Sequence, residues 1–104
     1  MTGKYILDEQ GNPKSCHNVI EWADWFEKTE RHVADDKIGE VRVSTVFLGI
    51  DHSFEQNGPP ILFETMVFGG ELNEEQDRYS TREEAIAGHA AMIERVKTEQ
   101  GDKE

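Results

Sequence analysis

The chain has 104 residues, and 22 aspartates and glutamates against 11 lysines and arginines give it a net charge of −11. This length suits one domain with one core. The excess of negative charge disfavours direct binding to nucleic acid, whose phosphates need cations, and to anionic membranes. The same charge suits a partner with a basic surface, although excess acid also serves solubility alone.

No run of 18 apolar residues predicts a membrane span, and the start of the chain lacks the apolar stretch of a signal peptide. The single cysteine, Cys16, cannot form a disulfide within the chain. These features predict a soluble protein in a reducing cytoplasm. No metal-spaced cluster, phosphate loop or nucleophile motif is present, so we expect no metal and no cofactor.

The first predicted element is a short strand at "KYILD", closed by a turn at "EQGNPK". A helix follows over residues 19–31, with Asn18 as its cap. Its apolar stripe is predicted at the following positions: Val19, Trp22, Ala23 and Phe26. Trp25 flanks the stripe, so we consider it a candidate for a partner interface.

Alternating and β-branched residues predict two strands, over residues 41–50 and 61–68. Both faces of the first strand are largely apolar, so we expect it to be central. Residues 31–39 fit either a further strand or a loop, and the pair Asp35-Asp36 argues for a break.

The last predicted element is a helix that begins with a capping box formed by Thr81 and Glu84. Its apolar face is predicted to hold the following residues: Ala85, Ile86, His89, Met92, Ile93 and Val96. Gly88 lies at the edge of this face, where a glycine indicates a close approach of helix to sheet.

Together these elements predict an α+β domain over residues 1–98, followed by a polar tail over residues 99–104. The domain is expected to be an antiparallel sheet of three to four strands with two helices packed on one face, in the order β-α-(β)-β-β-α.

The connection between the two long strands is a loop of ten residues, which is long for a hairpin. It begins with Asp51 and His52 and carries Phe54 near its tip. A carboxylate beside an imidazole can support acid–base chemistry, but neighbouring residues in an extended chain point to opposite sides. We therefore interpret Asp51, His52 and Phe54 chiefly as candidates for partner binding.

Two further places could form a ligand site. Glu64 lies within the second long strand and either faces solvent or joins Arg42 in a site on the open side of the sheet. His89 lies on the apolar face of the last helix, where most histidines are core residues hydrogen-bonded at both nitrogens. The alternative is that His89 shares a proton or metal site with Glu64 or His52.

Acidic residues crowd the connection after the second long strand. Glu74, Glu75 and Asp77 could form a negative patch for a partner, together with Glu71 and the pair Asp35-Asp36, but a solvated loop has the same composition and is the simpler interpretation.

The runs "VRVSTVFLGIDHSF", "GPPILFETMVFGG" and "RYSTREEAIAGHAAMIERV" resemble a family of small uncharacterised proteins encoded by bacteriophages and prophages. The resemblance covers most of residues 20–96 and brings no known activity. It implies an accessory protein that works in the host cytoplasm.

Three hypotheses follow. The chain is a non-catalytic protein that binds or inhibits a host or defence protein; or a small enzyme or ligand-binding domain that uses Asp51, His52, Glu64 and His89; or a structural component that assembles into a homo-oligomer. The second hypothesis requires those four side chains to converge.

Overall fold

The computed structural model describes residues 3–53 and 58–101. Within these residues the elements are β1 (Tyr5–Leu7), β2 (Pro13–Ser15), α1 (Val19–Lys28), β3 (His32–Ile38), β4 (Val41–Phe47), β5 (Phe63–Phe68), β6 (Gln76–Tyr79) and α2 (Arg82–Gly101). Strands β1 and β2 form a small hairpin, and β3-β4-β5-β6 form an antiparallel sheet whose strand order follows the chain. The predicted α+β class is confirmed.

The four-stranded sheet contains one strand that the sequence analysis left undecided, β3, and one that it did not predict, β6. Residues 32–38 form β3, the edge strand beside β4, rather than a loop. An edge strand can hold Asp35 and Asp36 because each carboxylate finds a cation or an imidazole: Asp35 pairs with Arg42, and Asp36 with His89. Strands β2 and β6 were not predicted, and β2 begins within the segment predicted as a turn before the first helix.

Helix α1 begins as predicted and ends early. The Asn18 side chain accepts a hydrogen bond from the Glu21 amide at 3.0 Å. The helix ends at Lys28, three residues before the predicted end, because the chain becomes extended at Thr29 to enter β3. The predicted apolar stripe is wrong at Val19, which is 59% exposed, and at Ala23, which is also exposed.

Helix α2 has the predicted capping box, in which Thr81 Oγ1 and Glu84 Oε1 each accept from the other residue's amide. The expectation for Ile86 is wrong, because its side chain is 49% exposed. The helix continues to Gly101, so residues 99–101 of the predicted tail belong to it. Gln100 donates a hydrogen bond to the Ile38 carbonyl at 2.7 Å, which holds this last turn against the end of β3.

The core lies on one face of the four-stranded sheet. One cluster joins β4 and β5 to α2 and contains Val41, Val43, Val67, Met92 and Val96. A second contains Phe47, Leu62, Phe63 and Ala85. The Trp25 ring meets Phe47 edge-on with centroids 5.8 Å apart, so α1 packs on the same face as α2.

The opposite face of the sheet is not covered by either helix, and we call it the open face. The strand register assigns it the following residues: His32, Asp35, Lys37, Arg42, Ser44, Val46, Glu64, Met66, Phe68, Gln76 and Arg78.

Candidate functional site

The Asp51 carboxylate is used to shape its own loop. Its Oδ1 atom accepts hydrogen bonds from the Ser53 and Ile61 amides, both at 2.8 Å. The backbone amide of His52 donates to the Ile61 carbonyl at 2.9 Å, and the His52 side chain is exposed. Asp51 therefore closes the base of the loop. Phe54, the third candidate in this loop, lies outside the described residues.

His89 is buried and hydrogen-bonded at both ring nitrogens, as expected for a core histidine. Its Nε2 atom lies 2.8 Å from Asp36 Oδ2, and its Nδ1 atom lies 2.7 Å from Thr45 Oγ1. A carboxylate oxygen only accepts, so Nε2 carries a hydrogen and donates it. In the neutral ring, Nδ1 then accepts from the Thr45 hydroxyl, which lies 2.5 Å from the Thr65 hydroxyl.

This row of polar groups has no room for a substrate. Thr45 and Thr65 are each 0% exposed, and α2 covers them. An Asp-His-Thr arrangement could activate a hydroxyl only if a substrate reached it. The row instead fixes α2 to β3, β4 and β5, which is a structural role.

Tyr79 lies beside the same row and packs on Gly88. A Cβ atom at Gly88 would overlap the Tyr79 hydroxyl and ring, so the predicted close approach of helix to sheet is confirmed. The hydroxyl is buried without a hydrogen-bond partner among the described residues. Its burial raises the pKa of Tyr79.

Arg42 and Glu64 both lie on the open face, but they do not pair with each other. Arg42 makes two hydrogen bonds to Asp35, at 2.8 and 2.7 Å, and these hold the pKa of the Asp35 carboxyl below its usual range. Glu64 accepts from Arg78 Nε at 2.8 Å across β5 and β6. Arg42 and Glu64 therefore each have a partner of opposite charge on a neighbouring strand. The Phe68 ring lies beside the Arg42 guanidinium.

The four residues of the enzyme hypothesis do not converge. Glu64 lies on the open face, whereas His89 lies on the core face, so the sheet separates them. Asp51 and His52 lie in the loop beyond β4. The arrangement that this hypothesis requires is absent.

A cavity of about 290 Å³ lies at one end of the sheet. It lies between the β3–β4 turn, the start of the β5–β6 connection and the last turns of α2. Its apolar wall consists of Val41, Leu72 and Val96. Gly70 lets the chain approach this wall, since a Cβ there would lie 2.8 Å from Val41 Cγ2 and its φ of +71° also favours glycine.

Three glutamates are among the residues that line the same cavity: Glu40 from the β3–β4 turn, Glu71 from the β5–β6 connection and Glu99 from α2. The C-terminal end of α2 adds partial negative charge, and the last turn carries no basic residue to offset it. We call this site the acidic pocket. An apolar wall with a carboxylate rim suits a ligand that is both aliphatic and positively charged.

Of the acidic residues singled out in this connection, Glu71 lines the pocket, whereas Glu74, Glu75 and Asp77 do not. Glu75 Oε1 lies 3.8 Å from Arg95 Nη2, next to the shallow groove that continues from the pocket along α2. Glu74 lies in the β5–β6 connection, where its backbone has a φ of +73°. Asp77 lies on β6 opposite Thr65.

Sequence reasoning missed Glu40 and Glu99 because they are far apart in the chain. A usable signal was present: Gly39-Glu40 and Gly70-Glu71 are both Gly-Glu pairs at the same end of an antiparallel sheet.

Trp25, the other interface candidate, is half-buried and its ring packs on Phe47. Within residues 3–53 and 58–101, no group of three or more His, Cys, Asp or Glu side chains could hold a metal ion. Over the same residues, no helix is long and apolar enough to cross a membrane.

Comparison with known proteins gives no match: no family model, no curated protein and no solved structure is similar to this chain.

Proposed function

We propose that the protein is a non-catalytic binding protein whose acidic pocket receives a lysine or arginine side chain from a partner protein. The observation that carries this proposal is that an apolar wall and three glutamates line one cavity. A lysine or arginine can lay its aliphatic stem along Val41 and Leu72 while its cation meets the carboxylates.

The size of the pocket supports a side chain rather than a larger ligand. Sites for drug-sized molecules usually measure about 300–1,000 Å³. At about 290 Å³, the acidic pocket is at the lower limit of that range. The charge of the whole chain, −11, would also steer a basic partner toward it.

The resemblance of the sequence to small phage proteins suggests where the partner comes from. We infer an accessory role in an infected bacterial cell, with a host or defence protein as the partner and a basic surface around the inserted side chain.

The test is a pull-down from host-cell lysate with three forms of the tagged protein. The pocket variant carries Glu40→Gln, Glu71→Gln and Glu99→Gln. The control variant carries Glu9→Gln, Glu27→Gln and Glu83→Gln, which changes the net charge equally at exposed positions outside the pocket. Captured proteins are identified by mass spectrometry at low and moderate salt.

We expect the wild type and the control variant to capture the same protein. The pocket variant should bind that protein at least about tenfold more weakly (~1.4 kcal/mol), and moderate salt should release it from the wild type. Equal capture by both variants, or no specific capture by the wild type, would contradict the proposal. A residue-level check is an NMR titration with N-acetyl-arginine amide, in which the amide signals of Gly70 and Leu72 should shift in the control variant and not in the pocket variant.

A further inference from the structure

The open face differs in charge from the rest of the molecule. It carries three cations, Lys37, Arg42 and Arg78, against two carboxylates, Asp35 and Glu64, and so has a net charge of about +1 with His32 neutral. The whole chain has a net charge of −11, so all other charged groups together amount to −12. The open face is therefore close to neutral on an otherwise strongly negative protein.

The middle of the open face is apolar and partly exposed. Phe68 is 43% exposed, and Val46 and Met66 are half-buried. The Arg42 guanidinium lies 5.6 Å from the centroid of the Phe68 ring. Its two hydrogen bonds to Asp35 already fix its position, so little conformational entropy is lost if another molecule packs there. Aromatic and arginine side chains that are held in place are the usual anchors of protein interfaces.

We propose that the open face packs against the open face of a second copy of this chain to form a two-fold symmetric dimer. Two copies with a charge of −11 repel each other through most of their surface. The open face is where two copies can meet with the least repulsion, because each contributes about +1 there. Face-to-face packing of two twisted sheets at a spacing of about 10 Å is a common way to cover such a surface.

The size of the open face predicts a weak dimer. Four strands spaced about 4.8 Å apart and about 20 Å long give a flat area of roughly 400 Å² per copy. Two copies would together bury roughly 800 Å², which is below the total of about 1,200–2,000 Å² that stable interfaces bury. The dimer is therefore expected to form at high protein concentration and to dissociate on dilution.

Salt should strengthen this dimer. The negative charge outside the open face opposes association, and salt screens that repulsion over a distance of roughly 10 Å at 0.1 M. The complex at the acidic pocket depends on attraction and should weaken with salt. The two interactions can thus be separated by the sign of their salt dependence, and the dimer does not depend on the function proposed for the pocket.

The test is sedimentation equilibrium of the full chain from micromolar to millimolar concentration, at low and moderate salt. We expect the average mass to rise from 11.9 kDa toward twice that value, and to rise at lower concentration when salt is added. The variant Phe68→Lys should weaken the dimer at least tenfold. The matched control is Ile20→Lys, which adds the same charge at an 82% exposed position on α1 and should leave the dimer almost unchanged.

A mass that stays at 11.9 kDa under all conditions would overturn the proposal, as would an equal loss of dimer in the control. Wild-type NMR spectra recorded over the same concentrations give a readout that needs no variant. Concentration-dependent shifts should centre on Val46, Met66 and Phe68, whereas shifts confined to the helices would overturn the proposed face.

Discussion

His89 Nε2 donates a hydrogen bond to Asp36 Oδ2 over 2.8 Å, and this contact joins helix α2 to the edge strand β3. The two residues are 53 positions apart in the chain. The imidazole is buried, whereas the Asp36 side chain is 55% exposed. The histidine therefore depends on the pair more than the aspartate does, because water can solvate the carboxylate but cannot reach the ring.

Replacing His89 with alanine should destabilise the protein by about 2–4 kcal/mol, because the change leaves a cavity and removes one of the two hydrogen-bond partners of the buried Thr45 hydroxyl. Asp36→Asn should cost less than about 1 kcal/mol, since an amide oxygen still accepts from Nε2 and the position is half-exposed. Urea unfolding followed by circular dichroism measures both. Equal losses of stability in the two variants would show that the hydrogen bond to Asp36, rather than burial of the ring, accounts for the contribution of His89.

Asp51 and His52 should behave differently from each other when each is replaced with alanine. The Asp51 carboxylate satisfies the amides of Ser53 and Ile61, so Asp51→Ala should lower the free energy of unfolding by about 1–3 kcal/mol. His52→Ala changes an exposed side chain and should stay within about 0.5 kcal/mol of the wild type. Denaturant titration of both variants checks the difference, and a larger loss for His52→Ala would contradict the assignment of Asp51 as the residue that closes the loop.

Tyr79 should make the stability of the protein sensitive to alkaline pH. Burial raises the pKa of its hydroxyl, and the negative charge of Asp77 adds to the rise. A group whose pKa is raised in the folded state stabilises the fold below its unfolded pKa, and this stability is lost as the pH rises through the folded value. We therefore expect the free energy of unfolding to fall above roughly pH 10.

The control for this prediction is Tyr79→Phe, which removes a buried hydroxyl without a partner and should leave the stability at neutral pH unchanged or slightly higher. The chain has two tyrosines, so the ultraviolet titration of this variant reports Tyr5 alone. The wild type should show an additional, later titration. Identical pH dependence of unfolding in the two proteins would refute the role given to Tyr79.

Much of the fold could be predicted because its signals are local. The start of each helix is marked by a capping residue and a residue three positions later. The two central strands are marked by residues that alternate between the two faces of the sheet. Strand β6 could not be predicted in this way. Its residues 76–79, "QDRY", lie at the edge of the sheet and are mostly exposed, so no apolar alternation marks them.

The acidic pocket could not be predicted for a different reason. Its carboxylates come from a turn, a connection and a helix, and only the docking of α2 brings them to one end of the sheet. The sequence drew attention to an acidic connection that includes Glu71, but it did not separate Glu71 from Glu74, Glu75 and Asp77, which do not line the pocket. Which of several neighbouring carboxylates enters a cavity depends on the turn at Gly69 and Gly70, not on composition.

The order of the strands also affects how the protein forms. Strands β3 to β6 each pair with the next strand in the chain, so each pairing closes only a short loop. The loop between β4 and β5 is the longest of these. Helix α2 follows all of them and covers the face that contains Thr45 and Thr65. During synthesis, this face of the paired strands therefore stays exposed to water until α2 has been made. Partly made chains can associate through the exposed face before the helix packs on it.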